Sequence, residues 1–206
     1  MGDNLKLLII ELVKNGIILI NDDGLKEHNP RSNSPILPLY FNIREVRSWV
    51  DTHKKLIEEY AKIIDPTDFD LVADVPLGSS TIAWDLAKKF NKPMITPRVN
   101  FKNYGKDKNI IGRYELNQRV LVVDDVIVNG TKKQIAINTL EQSGLKIVQI
   151  VAFLDWQRGG KERLENKGYK TKTVVNAIDV LEYLEKEGIV NDDFVNQIIS
   201  KLTIKN

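Results

Sequence analysis

Between residues 70 and 175 the chain alternates short apolar runs with stretches of helical spacing, and this alternation restricts it to one class of fold. Asp70–Val75, Pro93–Thr96, Arg119–Asp124, Lys146–Leu154 and Lys172–Val175 read as strands, being short runs of mostly apolar and β-branched residues. Ser80–Phe90, Lys132–Ser143 (closed by Gly144) and Gly160–Lys167 (closed by Gly168) read as the intervening helices. Runs such as Val120-Leu121-Val122-Val123 are apolar at every position, so both faces need cover. Helical crossovers of this length join parallel strands. The expected fold class is therefore α/β, with a central, mostly parallel sheet flanked by helices. In such sheets ligands gather at the carboxyl ends of the strands, which directs attention to the loops after 70–75, 93–96, 119–124 and 146–154.

The remainder is less regular. Residues 3–15 have helical spacing and stop at Gly16, Ile17–Ile20 and Leu39–Ile43 read as strands, and Asn21–Pro35 reads as loop. Trp49–Ile64 reads as a helix ended by Asp65-Pro66, Val99–Arg113 as a polar loop, and about 177–187 and 191–202 as terminal helices. A length of 206 residues suits one domain. The absence of cysteine excludes disulfide scaffolds, thiolate metal sites and Cys nucleophiles, and two His leave little for a His-rich metal centre. Thirty basic against 28 acidic residues give no general drive toward nucleic acid or an anionic membrane. Apolar runs such as Leu7–Ile10 are far below the roughly 18 to 20 residues of a membrane span, and Asp3 and Glu11 argue against a signal peptide. A cytoplasmic protein is expected.

The most informative stretch is Val120–Thr131. An apolar strand ends in Asp124-Asp125, and after Val126-Ile127-Val128-Asn129-Gly130-Thr131 a helix begins. Backbone N–H groups at that helix start, the Thr131 hydroxyl and a glycine permitting close approach make a phosphate cradle. Two carboxylates beside a phosphate repel it unless they accept hydroxyl hydrogen bonds or help to hold a cation. A sugar phosphate with Mg²⁺ meets both demands. The plain alternative is a strand-end turn with an N-cap. A Walker-type NTPase is excluded because no GxxxxGK[ST] loop exists; Gly159-Gly160-Lys161-Glu162 fails at its last position. A receiver domain is excluded because only 81 residues follow Asp125.

Val120–Thr131 resembles the signature of type I phosphoribosyltransferases that binds 5-phosphoribosyl-1-diphosphate (PRPP). Further segments are similar to orotate phosphoribosyltransferases, in the same order along the chain. These are Ser34-Pro35 with Leu39-Tyr40-Phe41-Asn42, then Ala73–Ala83 as a pyrophosphate loop, and Arg98–Gly105 as a mobile catalytic loop. Gly112 follows, then Phe153–Gly160 as the strand and loop after the signature. The resemblance implies a type I phosphoribosyltransferase fold in a single domain over 1–206. About 1–45 would form a small N-terminal hood and about 65–180 the core. It implies PRPP-dependent transfer to orotate, giving orotidine 5′-phosphate and pyrophosphate, with Mg²⁺ and a homodimer. Lys102, Asp124 and Asp125 would be catalytic. Arg98, Lys102 and Tyr104, with Gly78 and Ser79, would meet the pyrophosphate. Asp124 and Asp125 would engage ribose hydroxyls or Mg²⁺, while Asn129, Gly130 and Thr131 would hold the 5′-phosphate.

Three positions depart from the family pattern. Val99 replaces a Lys that usually follows the loop Arg, Val128 replaces a Thr, and Trp156 stands where orotate enzymes place an Arg for the orotate carboxylate. Loss of that bidentate contact costs about 2–4 kcal/mol. Val128, Trp156 and Arg158 are thus the base-side candidates, with Trp156 able to stack on a flat base. Two further readings stay open: transfer to another nucleobase, and a PRPP- or nucleotide-binding regulator without catalysis.

Overall fold

Residues 1–25, 37–98, 109–129 and 131–203 are described in a computed structural model of the chain. The elements run α1 (Asp3–Lys14), β1 (Ile18–Leu25), β2 (Leu37–Phe41), a 3₁₀ helix (Ile43–Ser48), α2 (Val50–Ala61), β3 (Leu71–Asp74), α3 (Ser80–Lys89) and β4 (Met94–Pro97). They continue with β5 (Ile110–Ile111), β6 (Arg119–Ile127), α4 (Thr131–Gln142), β7 (Lys146–Asp155), α5 (Gly160–Asn166), β8 (Thr171–Asn176), α6 (Ala177–Lys186) and α7 (Asp192–Thr203).

The main sheet has the order β5-β4-β3-β6-β7-β8 and is parallel except where β5 pairs antiparallel with β4. Strand periodicity divides the core cleanly. Leu121, Val123, Val151 and Phe153 point to one face, which α1, α2, α3, α6 and α7 cover. Val120, Val122, Ile150 and Ala152 point to the other, under α4 and α5. All eight side chains are fully buried, as an all-apolar run demands. β1 and β2 form a separate antiparallel pair, and Leu39 and Phe41 of β2 join the α1–α2 side of the core.

Four sequence expectations need correction. Ile17–Ile20 is the beginning of a longer strand: β1 reaches Leu25, because Leu25 pairs with Leu37 across an irregularity. Leu39–Ile43 is strand only to Phe41, after which the backbone turns into the 3₁₀ helix. Val99–Arg113 is not all loop, since Ile110 and Ile111 pair with Pro97 and Thr96. Most consequential, the strand expected to end at Asp124 runs on to Ile127, because the ten residues of β7 supply partners as far as Asp155. No helix among the described residues is long and apolar enough to cross a membrane.

His53 on α2 is buried against α3, with Nε2 3.0 Å from Asp85 Oδ2 and the charges of Arg47 and Lys88 nearby. Burial is the largest influence and holds the imidazole pKa below its ordinary 6.5. The unfolded chain therefore takes up the proton first. The contribution of His53 to stability is full above pH 6.5 and falls as the pH drops below it. His53→Gln is expected to flatten this part of the profile; urea midpoints measured across that range check it, and an unchanged slope refutes it.

Candidate functional site

The site lies at the carboxyl ends of β3, β6 and β7. β3 stops at Asp74, opposite Val123, so the last four residues of β6 keep β7 as neighbour and open toward the loop that leaves β3. That loop, Val75–Ser79, folds back over the opening. Ser79 is fully buried; its Oγ accepts from the Val75 N–H at 3.1 Å and donates to the Val123 carbonyl at 2.8 Å, fastening the loop to β6. Gly78 then sits so near Asp125 that a Cβ there would lie 2.7 Å from Oδ2. The Pro76-Leu77 peptide is cis. Arg47 of the 3₁₀ helix donates to the Leu77 and Gly78 carbonyls at 3.1 and 3.3 Å, and Arg44 Nε lies 4.0 Å from Asp125 Oδ2.

The two acids differ in surroundings. Asp124 is 4% exposed, and its Oδ1 accepts the Asp125 N–H at 2.8 Å. Its Oδ2 meets the Lys133 ammonium at 2.5 Å, and Lys133 also donates to the Val126 carbonyl at 2.7 Å. Burial pushes the Asp124 pKa up to about 7; the charge of Lys133 opposes that rise and the neighbouring Asp125 adds to it. Tyr60 of α2 donates to the Asp124 carbonyl at 2.6 Å, and burial raises the pKa of its own hydroxyl well above the ordinary value. Asp125 is more open, with Oδ1 accepting the Val126 N–H at 2.8 Å and Oδ2 directed at Gly78 and Arg44. At the end of β3, Ser80 donates to Asp74 Oδ2, while Asp74 Oδ1 is buried without a hydrogen-bond partner.

On the far side, Trp156 is 7% exposed and packs edge-on against Phe41 of β2, with ring centroids 5.0 Å apart. Its indole is part of the core that joins β7 to the β1–β2 pair. Arg158 is half-buried in the turn before α5. Gly160 starts α5 against the loop after β6, where a Cβ would lie 2.3 Å from the Val128 carbonyl oxygen. Val128 is half-buried and Asn129 exposed. Arg98 is exposed at the end of β4, its N–H donating to the Asn109 carbonyl at 2.9 Å. Val99, Lys102, Tyr104 and Gly130 lie outside the described residues, as does the side chain of Thr131.

Of the residues expected from sequence, Gly78, Ser79, Asp124 and Asp125 come together, while Val128 follows the end of β6 and Trp156 and Arg158 follow the end of β7. Sequence reasoning missed Lys133, Tyr60, Arg44 and Arg47. Lys133 had left one signal: a lysine in the first turn of a helix faces the positive end of the helix dipole, an unfavourable place without a buried carboxylate nearby. Tyr60 lies 64 residues before Asp124 and left none.

A parallel α/β sheet with an acidic pair on its central strand, facing a tight loop from the next strand, defines the type I phosphoribosyltransferase class, and comparison bears this out. Leishmania donovani UMP synthase superposes with a TM-score of 0.82 at 26% identity, covering 98% of this chain and 42% of that one. An orotate phosphoribosyltransferase from Methanocella arvoryzae is 32% identical over 126 residues, which are 61% of this chain and 71% of that protein. One from Sulfurisphaera tokodaii is 26% identical over 198 residues, covering 96% and 97%. The chain belongs to the orotate phosphoribosyltransferase family. It spans only 34% of the bifunctional enzyme PyrF/PyrE from Nostoc sp., to which it is 29% identical over 163 residues. No protein-family profile matches the chain.

Proposed function

We propose that the protein transfers the phosphoribosyl group of PRPP to orotate, forming orotidine 5′-phosphate and pyrophosphate. The observation that carries this is the close approach of Gly78 to Asp125, which brings a tight backbone loop against a ribose-side carboxylate. In the reaction the bond from ribose C1 to the diphosphate oxygen breaks, and a bond from C1 to the base nitrogen forms as that nitrogen loses its proton. Positive charge gathers on the ribose and negative charge on the leaving group. Asp124 and Asp125 lie on the ribose side. The backbone at Gly78 and Ser79, with Arg98, Lys102 and Tyr104, serves the pyrophosphate, and Asn129, Gly130 and Thr131 the 5′-phosphate. Among the described residues no cluster of three acidic, His or Cys side chains could enclose a metal by itself. Two adjacent carboxylates suit Mg²⁺ that takes its other ligands from substrate and water. When bound, Mg²⁺ neutralises diphosphate charge; Asp125, the more open acid, would help to hold it.

An assay with PRPP, orotate and Mg²⁺ is expected to release pyrophosphate, and no turnover at high substrate would sink the reading. Lys102→Ala is expected to lower kcat by about 100- to 1000-fold with PRPP affinity largely retained. Unchanged kcat would remove Lys102 from the reaction.

A second reading is favoured by the lack of a carboxylate-binding Arg at position 156, where Trp156 instead buries its indole against Phe41. A base without a carboxylate would then be preferred, and competition of orotate against other nucleobases in the same assay decides it. PRPP binding without pyrophosphate release from any base would instead indicate a regulator. A homodimer fits the surface beside the site. Trp49, Val50, Leu77 and Trp84 are exposed large apolar residues, and Val50 also lines a cavity of about 670 Å³ together with Arg47, Thr81 and Asp85. Light scattering is expected to give twice the monomer mass, and a monomer at working concentration would refute it.

A further inference from the structure

The acidic pair carries its own cation, and this has a consequence for how the two acids divide their work. Lys133 and Asp124 are 5% and 4% exposed, and their contact crosses from the first turn of α4 to β6. Lys133 is fixed at a second point by the Val126 carbonyl, so its ammonium is held in place rather than swinging from a flexible stem. Both Asp124 oxygens are engaged by protein donors, Oδ1 by the Asp125 N–H and Oδ2 by Lys133. Asp125 Oδ2 instead faces Gly78 of the loop leaving β3, with Arg44 4.0 Å away.

We propose that Lys133 is a positioning residue: it supplies the counter-charge of the acidic pair and fixes Asp124 as an acceptor for a ribose hydroxyl, leaving Asp125 to meet the diphosphate and its cation. This rests on the PRPP reading of the site. A buried carboxylate already matched by an ammonium has little to gain from a metal, and each of its oxygens keeps a second lone pair for a hydroxyl donor. The ribose end of the site should therefore bind its ligand without divalent metal. A ligand with the hydroxyls and the 5′-phosphate but no diphosphate isolates that end from the metal requirement of PRPP itself.

The test is calorimetry of the full chain with ribose 5-phosphate, in EDTA and in excess Mg²⁺. The wild type is expected to bind with affinities within about threefold in the two buffers, less than the 1.4 kcal/mol that corresponds to tenfold. Lys133→Met is expected to weaken binding in EDTA by at least about tenfold, as loss of an oriented charged partner does, and to regain part of it in Mg²⁺. Lys133→Arg, which keeps the charge, is expected to stay insensitive to Mg²⁺. Should Lys133→Met fail to fold, the Asp124→Asn/Lys133→Met pair removes both charges, and it is expected to bind weakly in both buffers. A wild type that needs Mg²⁺ for ribose 5-phosphate, or fails to bind it, overturns the proposal, as does wild-type affinity in either variant that lacks the lysine charge. Wild type that also fails to bind PRPP with Mg²⁺ would instead overturn the PRPP reading. PRPP binding that persists beside any of the other negative results would confine the failure to Lys133.

Discussion

Lys133→Met is expected to lower the unfolding free energy at neutral pH by about 1 kcal/mol. An unpaired buried charge is costly, but a carboxyl whose pKa is pushed up to about 7 escapes most of that cost by taking up a proton. The methionine fills nearly the same space, so the loss is electrostatic: Asp124 keeps its burial and its acidic neighbour but not its ammonium. The pH dependence gives the effect a signature. The Asp124 pKa is already raised above its unfolded value of 3.8, and removing Lys133, whose charge and hydrogen bond both lower it, raises it further. A carboxyl with a raised folded pKa loses stability as the pH rises from the unfolded value toward the folded one. The deficit of the variant should therefore shrink as the pH falls toward 4. Asp124→Asn on the same background should recover most of it at neutral pH. Urea unfolding at two pH values, with the dependence on urea unchanged, measures this. A deficit that ignores pH would show that Lys133 matters through packing alone.

The second large effect is expected at Gly160. Its backbone approaches Val128 so closely that a Cβ would lie 2.3 Å from the carbonyl oxygen, 2.8 Å from the carbonyl carbon and 2.9 Å from Ile127 Cγ2. None of these is the far end of a flexible side chain, so Gly160→Ala has to move backbone. Overpacking of this kind costs about 1–3 kcal/mol. The displaced segment is the one that leads into Asn129 and the start of α4, so the KM for PRPP should rise more than the KM for the base. Gly168→Ala is the control: a Cβ there meets nothing within 4 Å, leaving only the strain of a positive φ. It should cost stability without altering either KM. Equal KM values in the wild type and Gly160→Ala would show that the α5 start and the proposed phosphate-binding segment after β6 are not mechanically linked.

The central strands were legible because their alternation is local: Val120 and Val122 belong to one face, Leu121 and Val123 to the other, and both faces are covered. What escaped was set by partners distant in sequence. Ile110–Ile111 is too short to announce itself and exists because β4 offers an edge. Asn21–Leu25 contains two Asp and a Gly, poor strand formers, yet pairing with Leu37 extends β1 through it. The overrun of β6 past its acids depends on the length of β7. In the site, the acidic pair and the tight loop at Gly78 were visible as residue types in order. The lysine and tyrosine that hold Asp124 were not, because a helical side chain announces its face but not which strand atom it will meet.

The contact between Gly160 and Val128 also bears on how such a chain can diverge. The segment from Trp156 to Gly160 borders the site from β7, and Val128 and Asn129 border it from β6. Because the two backbones touch with no side chain between them, an insertion or deletion in one alters the seat of the other. Changes of loop length are thus barred on both sides at once, and specificity has to drift by exchanging side chains on a frame of constant length.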